Sequence, residues 1–416
     1  MIRDIQGQWR DRTGEHRTFL ALRHRNYRLW FYGQLTSLFG SWMQSTALGF
    51  LVFELTKSPT FLGLVGFAAG APTWLFMLMA GVVADRVPRR RVMIITQTGM
   101  MALALLSAAL VFTGAIRPWH IILLALGFGT ANSFDAPARQ ALVQELVPIE
   151  DMTNAIALNS AMFNTSAAIG PAVGGMIYAF VGPGWCFFIN GLSFVAIIIA
   201  LTKMKLPAFV PRPRPASLSA ELKEGLRYAA GQPVVRTILG MVFVISMFGF
   251  AFVTLIPAWA VNILHGNATT NGLLTSARGL GAVAAALFIA SLGRFRFRGK
   301  LLTFGSLSFP ILMIVFAFIH RPIFAYLTLF AAGFALILVF NLSNASIQSL
   351  TPNHLRGRVM GIYAFTFFGS IALGSLLIGA VAGRIGEPPA LVINSLIALL
   401  FGASVYVFMP KLRALE

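Results

Sequence analysis

Carboxylates within long apolar segments are the groups in this sequence best suited to carrying a proton. Of the 13 acidic residues, only Glu54 and Asp135 fall inside such a segment or at its end. A carboxylate that changes its exposure can bind and release a proton, so both residues are candidates for proton coupling. Each also has a simpler interpretation. Asp135 precedes Arg139 by one helical turn, as in a local ion pair, and Glu54 lies beside Lys57 at a solvated segment end.

One basic residue, Arg278, lies about ten residues into an apolar segment. A charge at that depth is costly and normally faces a partner or an aqueous cavity. Three interpretations stay open: a structural partner, a role in substrate binding or gating, and a segment boundary set too early. Polar residues of other apolar segments are further candidates to contact a substrate, although most should hydrogen-bond between helices; they are Gln34, Gln44, Asn132, Asn159, Asn164, Asn262 and Asn341.

No set of residues in the sequence indicates catalysis. The six histidines lie in tails, loops or segment ends, and none has the spacing of a metal-binding pair. The single cysteine, Cys186, excludes a disulfide within the chain. A nucleotide-binding Gly-Lys-Ser/Thr loop is missing, which argues against an ATP-driven pump. We therefore expect no enzymatic activity, no metal ion and no other cofactor.

The elements that must position these residues are membrane-spanning helices. The chain of 416 residues is 57% hydrophobic and only 11% charged, whereas soluble domains carry roughly 25% charged residues. Apolar runs long enough to cross about 30 Å of hydrocarbon recur along nearly the whole sequence. Twelve are predicted, at about 28–54, 60–84, 92–114, 119–137, 153–180, 185–202, 236–264, 268–292, 301–319, 323–349, 359–383 and 390–409.

The basic residues predict how these spans are oriented. An even number of spans places both termini on one side, and 27 of the 32 lysines and arginines fall on that side. Because basic residues concentrate in cytoplasmic loops, we expect both termini in the cytoplasm of a bacterial-type inner membrane. The net charge of +19 is explained in the same way, since the basic residues form short clusters and no nucleic-acid-binding patch.

The longest polar break divides the chain into two halves. It contains Pro207, Pro211, Pro213 and Pro215, followed by an amphipathic stretch at 219–228, which predict a linker with a short interfacial helix. Gly170 and Gly175 correspond to Gly374 and Gly379 at the same offset, which favours a duplicated six-helix unit. The predicted parts are a cytoplasmic segment 1–27, a six-helix bundle 28–202, a linker 203–235, a second six-helix bundle 236–409 and a cytoplasmic tail 410–416. The predicted fold class is an all-α integral membrane protein with two pseudo-symmetric six-helix bundles.

A basic loop follows the second span, with the sequence Gly81-Val-Val-Ala-Asp85-Arg86-Val-Pro88-Arg89-Arg90-Arg91. Gly81 would let two helices approach closely, and Asp85 can pair with an arginine or cap a helix. A loop that only sets the topology is the simpler interpretation.

This loop resembles the signature loop of the major facilitator superfamily, with Pro88 where glycine is more usual. Four further stretches resemble the secretion-effector branch of that superfamily, which includes enterobactin exporters and macrolide efflux proteins; they are Leu22–Trp30, Phe134–Pro148, Asn154–Ser160 and Gly184–Asn190. The resemblance implies a twelve-helix alternating-access carrier, commonly a proton-driven exporter. It also implies a conformational latch that locks the outward-facing state, in which Asp85 lies against the start of span 11; the latch residues would be Gly81, Asp85, Arg86, Arg89, Arg90, Gly357 and Arg358.

The expected function is therefore secondary active transport, as a proton-coupled exporter of amphipathic compounds such as drugs or siderophores. Its expected partners are the lipid bilayer, a small amphipathic substrate and protons, and we expect a monomer that binds no nucleic acid. The alternatives are uptake or facilitated diffusion of a small metabolite, a channel, and a membrane-embedded enzyme.

Overall fold

The computed structural model describes residues 17–206, 218–293 and 296–415 of the chain. Throughout these ranges the regular structure is helical, without a β-strand. Ten of the helical segments are individually long and apolar enough to cross a membrane. The predicted all-α membrane fold is confirmed.

Six long helices make up the first half of the chain. They are α1 (Arg25–Thr56), α2 (Pro59–Arg86), α3 (Arg89–Phe112), α4 (Pro118–Leu146), α5 (Met152–Val181) and α6 (Pro183–Lys203). Five of them match the predicted spans to within a few residues. The end predicted for α4 at 137 is wrong, because the helix continues for two more turns in which Leu142, Val143 and Leu146 are buried.

The linker contributes one helix, α7 (Leu218–Gly231), at the position of the predicted interfacial helix. Glu224 of α7 forms an ion pair with Arg358, and the Tyr228 hydroxyl donates a hydrogen bond of 2.8 Å to the Leu350 carbonyl. This helix is therefore fixed against the second half of the molecule. Most of the predicted segment 1–27 and residues 207–217 of the predicted linker lie outside the described residues.

The seventh span is a helix of mixed geometry. α8 (Pro233–Val244) continues into a π-helical turn at Ile245–Gly249, 3-10 turns at Phe250–Leu255, the short α9 (Ile256–Ala258) and a second π-helical turn at Trp259–Ile263. Pro257 lacks a backbone N–H, and the Phe309 ring packs directly on Gly249. π-Helical turns occur frequently at functional sites. The apolar pattern of 236–264 predicted the span but not this irregularity.

The remaining helices complete the second half. They are α10 (Ala268–Ser291), α11 (Arg298–Ala317), α12 (Pro322–Leu350), α13 (Asn353–Ile385), α14 (Glu387–Phe408) and the short α15 (Pro410–Arg413). Each half packs mainly within itself, and most of the contact between the halves is made by two helix pairs, α2 with α13 and α5 with α10.

The corresponding glycines of the two halves occupy equivalent places. Gly170 of α5 packs against α1, whereas Gly374 of α13 packs against the seventh span at Met247 and Ala251. Gly175 meets α10, and Gly379 meets α2. The seventh span therefore occupies in the second half the place that α1 occupies in the first half. In the same way, α10 corresponds to α2. This agrees with the pseudo-symmetry expected from the offset of the glycines.

The two halves approach closely on one side of the membrane only. We call the face where α1 begins and α14 ends the terminal side, and the opposite face the far side. Toward the far side, a Cβ added to Gly63 would lie 2.9 Å from Cα of Gly379, and one added to Gly175 would lie 3.1 Å from Cα of Gly272. Toward the terminal side, a Cβ at Gly81, Gly357 or Gly361 would meet no described heavy atom within 4 Å. Among the described glycines, the backbone-close contacts between the halves lie toward the far side, and these three glycines nearer the terminal ends of α2 and α13 make none.

The close contact between α5 and α10 should tolerate no added side chain. We expect Gly175→Ala to destabilise the protein by about 1–3 kcal/mol, because its Cβ would press on the Ala268 carbonyl of the opposing helix. Gly99→Ala is the matched control, since a Cβ there meets open space and alanine is the better helix former by up to about 1 kcal/mol. Thermal unfolding in detergent should separate the two variants; equal midpoints would mean that the interface adapts freely.

Candidate functional site

Asp135 lies at the centre of a hydrogen-bonded group in the first half. Its carboxylate is 1% exposed, and its Oδ1 accepts hydrogen bonds of 2.9 Å from the Thr96 hydroxyl and 2.9 Å from the Gln97 amide of α3. The Ser37 hydroxyl of α1 donates in turn to Gln97 Oε1 at 3.4 Å. Three helices therefore contribute to one polar group that surrounds a single carboxylate.

The ion pair predicted between Asp135 and Arg139 is present but long. Arg139 Nε lies 4.0 Å from Asp135 Oδ2. Because Asp135 is buried and hydrogen-bonded to α3, an ion pair with Arg139 within α4 does not describe all of its interactions. Thr96 and Gln97 were missed at the level of sequence, since the face of α3 that meets α4 is set by packing and not by local spacing.

Arg278 lies inside α10, so the possibility of a misplaced span is wrong. Its side chain is 8% exposed, and its guanidinium carbon lies 5.3 Å from the centre of the Phe250 ring. Nε is fully enclosed and has no hydrogen-bond partner in the described ranges. No carboxylate of those ranges lies within ion-pair distance of the guanidinium. Its described neighbour is an aromatic face rather than a counter-ion.

The other polar candidates are spread over several environments. Gln34 is buried, and its Oε1 has no partner among the described residues. Gln44 accepts a hydrogen bond of 2.7 Å from Asn190, as expected for a contact between helices. Asn164 donates to the Ser160 carbonyl of its own helix at 2.9 Å. Three further candidates are not fully buried, Asn159 being partly exposed and Asn132 and Asn341 exposed.

Two carboxylates lie near the far side. Glu54 is exposed at the end of α1 and accepts a hydrogen bond from the Tyr178 hydroxyl. Asn262 donates a hydrogen bond of 2.7 Å to Glu387, which begins α14 and is only 6% exposed. The prediction that only Glu54 and Asp135 lie at span ends is therefore wrong. Glu387 was missed because Gly386 and two prolines give its surroundings the character of a loop.

Three arginines of the predicted latch, Arg89, Arg90 and Arg358, have partners that do not belong to the opposite half. Arg89 pairs with Glu145, and Arg90 donates to the Thr202 carbonyl at 2.8 Å. On the opposite half, Arg358 pairs with Glu224. Arg86 is exposed, and the side chain of Asp85 lies outside the described part of the chain.

The close helix approach expected at Gly81 is not made in this conformation, because Gly81 and Gly357 both border open space. Elsewhere, the part of the chain that is described contains no group of three His, Cys, Asp or Glu side chains that could hold a metal ion.

Comparison with known proteins identifies the family. The family model described as transmembrane secretion effector matches residues 16–416. The multidrug efflux pump Tap of Mycolicibacterium fortuitum is 27% identical, with 92% of this chain and 96% of that protein covered. The staphyloferrin A transporter of Staphylococcus aureus is 24% identical, with 86% and 90% covered. The enterobactin exporter EntS of Citrobacter koseri is 24% identical, with 94% and 93% covered.

Solved structures show the same fold. A POT family transporter in complex with 5-aminolevulinic acid superposes with a TM-score of 0.75 at 11% identity, covering 93% of this chain and 96% of that one. A bacterial homolog of the human lysosomal transporter Spinster gives a TM-score of 0.71 at 14% identity, covering 94% and 98%. The chain is thus a membrane transporter, not an enzyme, and it belongs to the transmembrane secretion effector family of the major facilitator superfamily.

Proposed function

We propose that this protein is a secondary active transporter that exports amphipathic compounds by alternating access in exchange for protons. The observation that carries the proposal is the unequal closure of the two sides. The halves are packed backbone to backbone toward the far side, whereas Gly81, Gly357 and Gly361 on the terminal side meet no described neighbour. A channel needs a path open to both sides, whereas a carrier presents its cavity to one side at a time.

The direction of transport is proposed from the relatives. The names of the three relatives describe a multidrug efflux pump, a staphyloferrin A transporter and an enterobactin exporter. Their matches extend over most of both chains, so a shared direction is the economical inference. We further propose that the terminal side faces the cytoplasm of a bacterial-type inner membrane and that the monomer is the transporting unit, with cargo entering from the cytoplasm.

Asp135 is the proposed proton-coupling residue. It is buried in the terminal half of α4, and its bonds reach α3 directly and α1 through Gln97. Loss of its negative charge would weaken the hydrogen bonds that it accepts from α3 and so change how three helices of one half are joined. Glu54 is the weaker candidate, because it is exposed on the far side.

Gradient-driven export is tested directly with the purified protein in proteoliposomes. We expect labelled tetracycline, erythromycin or enterobactin to accumulate against its gradient when a pH difference is imposed, and an uncoupler to abolish the accumulation. Equilibration of cargo without accumulation would instead favour facilitated diffusion or a channel.

Asp135→Asn should show whether Asp135 couples proton movement to transport or only holds the helices together. The amide keeps an oxygen that can accept from Thr96 and Gln97 but loses the charge, so we expect accumulation driven by the pH gradient to fall at least tenfold while exchange at equilibrium stays within twofold. Arg139→Gln is the matched control, because it removes only a pair that contributes a few tenths of a kcal/mol. If both variants accumulate cargo normally from pH 6 to 8, the proton is carried elsewhere.

The proposed latch predicts a change of conformation in Asp85→Asn. A carboxylate at a helix N-terminus is favourable by about 0.3–1 kcal/mol, so removing its charge should weaken the outward-facing state. We expect faster labelling of a thiol placed at Ile156, which is exposed on α5, in a Cys186→Ala background.

Asp151→Asn is the control for this experiment, because Asp151 is also an acid on the terminal side but pairs with His24. It should leave the labelling rate unchanged. Unchanged labelling and transport in Asp85→Asn would remove the latch from the cycle.

A further inference from the structure

An uncompensated guanidinium lies at mid-membrane in the second half. Arg278 is ten residues from the start of α10, about 15 Å along the helix axis. Of the three guanidinium nitrogens, Nε is fully enclosed without a hydrogen-bond partner among the described residues. No hydrogen bond from any of the three is found among the residues that the structure describes. The planar end of the side chain, which carries most of its donors, is therefore unused.

A structural role does not explain this geometry. A buried charge is tolerated when its donors are paired and is costly when they are not. The Phe250 ring at 5.3 Å compensates only in part, because a cation–π contact satisfies none of the N–H donors of the guanidinium. The arrangement keeps the guanidinium in place but leaves its hydrogen-bonding edge available for an anion.

A cluster of phenylalanines adjoins the guanidinium. Phe250 lies 6.2 Å from Phe340 and 6.3 Å from Phe367, measured between ring centres. Phe340 and Phe367 meet edge to face at 4.8 Å, and Phe367 contacts Phe368 at 5.1 Å. Phe368 is exposed, and Phe250 and Phe367 are partly exposed, so the cluster that begins at Phe250 has aromatic surface that the rest of the described chain does not cover. We call these four residues the phenylalanine wall.

We propose that Arg278 and the phenylalanine wall bind an organic anion that carries a flat aromatic group. The anionic oxygens pair with the two terminal nitrogens of Arg278, and the aromatic group packs against the wall. A carboxylate or a deprotonated catechol has the paired oxygens that match the guanidinium edge. That this ligand is the exported cargo rests on the proposed function, whereas its binding does not.

Equilibrium binding to the purified full-length protein in detergent tests the site. The probes are 2-naphthoate, its neutral amide 2-naphthamide, and acetate, each measured by calorimetry against a protein-free detergent blank. We expect 2-naphthoate to bind at least tenfold more tightly than 2-naphthamide. Arg278→Lys should remove most of this preference, because lysine keeps the charge but not the planar pair of donors. Arg321→Lys, at an exposed arginine before α12, should leave it unchanged.

Phe250→Leu is a second variant that keeps an apolar side chain of similar bulk and leaves Arg278 intact. We expect it to weaken 2-naphthoate binding threefold or more, because the face that holds the guanidinium is lost. Equal binding of 2-naphthoate and 2-naphthamide to the wild type would overturn the proposal. A preference for 2-naphthoate over 2-naphthamide that survives both Arg278→Lys and Phe250→Leu would overturn it as well. Acetate binding as tight as that of 2-naphthoate would indicate a site for small anions only.

Transport of the same probes in proteoliposomes separates this inference from the proposed function. If the protein prefers 2-naphthoate to 2-naphthamide but transports neither 2-naphthoate nor tetracycline against a gradient, the binding site stands and the proposal of an exporter fails. Gradient-driven transport of tetracycline without any preference for 2-naphthoate would keep the exporter and overturn the site.

Discussion

Glycine at the crossings between helices is the constraint on which the arrangement of the two halves depends. Gly175 faces Gly272 where α5 meets α10, and Gly63 faces Gly379 where α2 meets α13. In a bilayer, burial of apolar surface gives little net attraction between helices, so association rests on close van der Waals contact and hydrogen bonds. A side chain at any of these four positions would press on the opposing backbone. The far side is closed because these residues have no side chain.

The two crossings are equivalent by the pseudo-symmetry of the halves, and this bears on how the molecule can move. Both crossings run from the far ends of their helices to the middle, where Gly279 of α10 still meets Ala167 and Ala168 of α5, whereas Gly81 and Gly361 nearer the terminal ends of α2 and α13 meet no described neighbour. In the proposed cycle the halves therefore rock about two similar contacts. The terminal ends of α2 and α13 close when the far side opens, and that is the state in which the proposed latch of Asp85 would form.

Much of this fold could be predicted from the sequence, because apolar runs of the necessary length rarely form anything but membrane-spanning helices. The depth of Arg278 followed from the same runs, whereas Asp135 was expected at the end of its span and lies about three turns before the end of α4. Their partners did not, because the pairing of Asp135 with Thr96 and Gln97 depends on which faces of α3 and α4 meet. Glu387 was missed for a different reason. Gly386 and two prolines resemble a loop, yet the helix begins at the glutamate itself and buries it against Asn262.

The irregular seventh span explains why the surroundings of Arg278 were the hardest feature to foresee. A π-helical turn holds one more residue than an α-helical turn, so residues after Ile245–Gly249 are rotated by roughly 100° relative to an uninterrupted α-helix. Phe250 follows this turn directly and places its ring over the guanidinium. A regular helix with the same sequence would direct that ring to another face. The contact that holds Arg278 is therefore a product of backbone geometry, which hydrophobic periodicity does not encode. The carboxylate of Asp135 in the first half, by contrast, is held by helices of regular geometry.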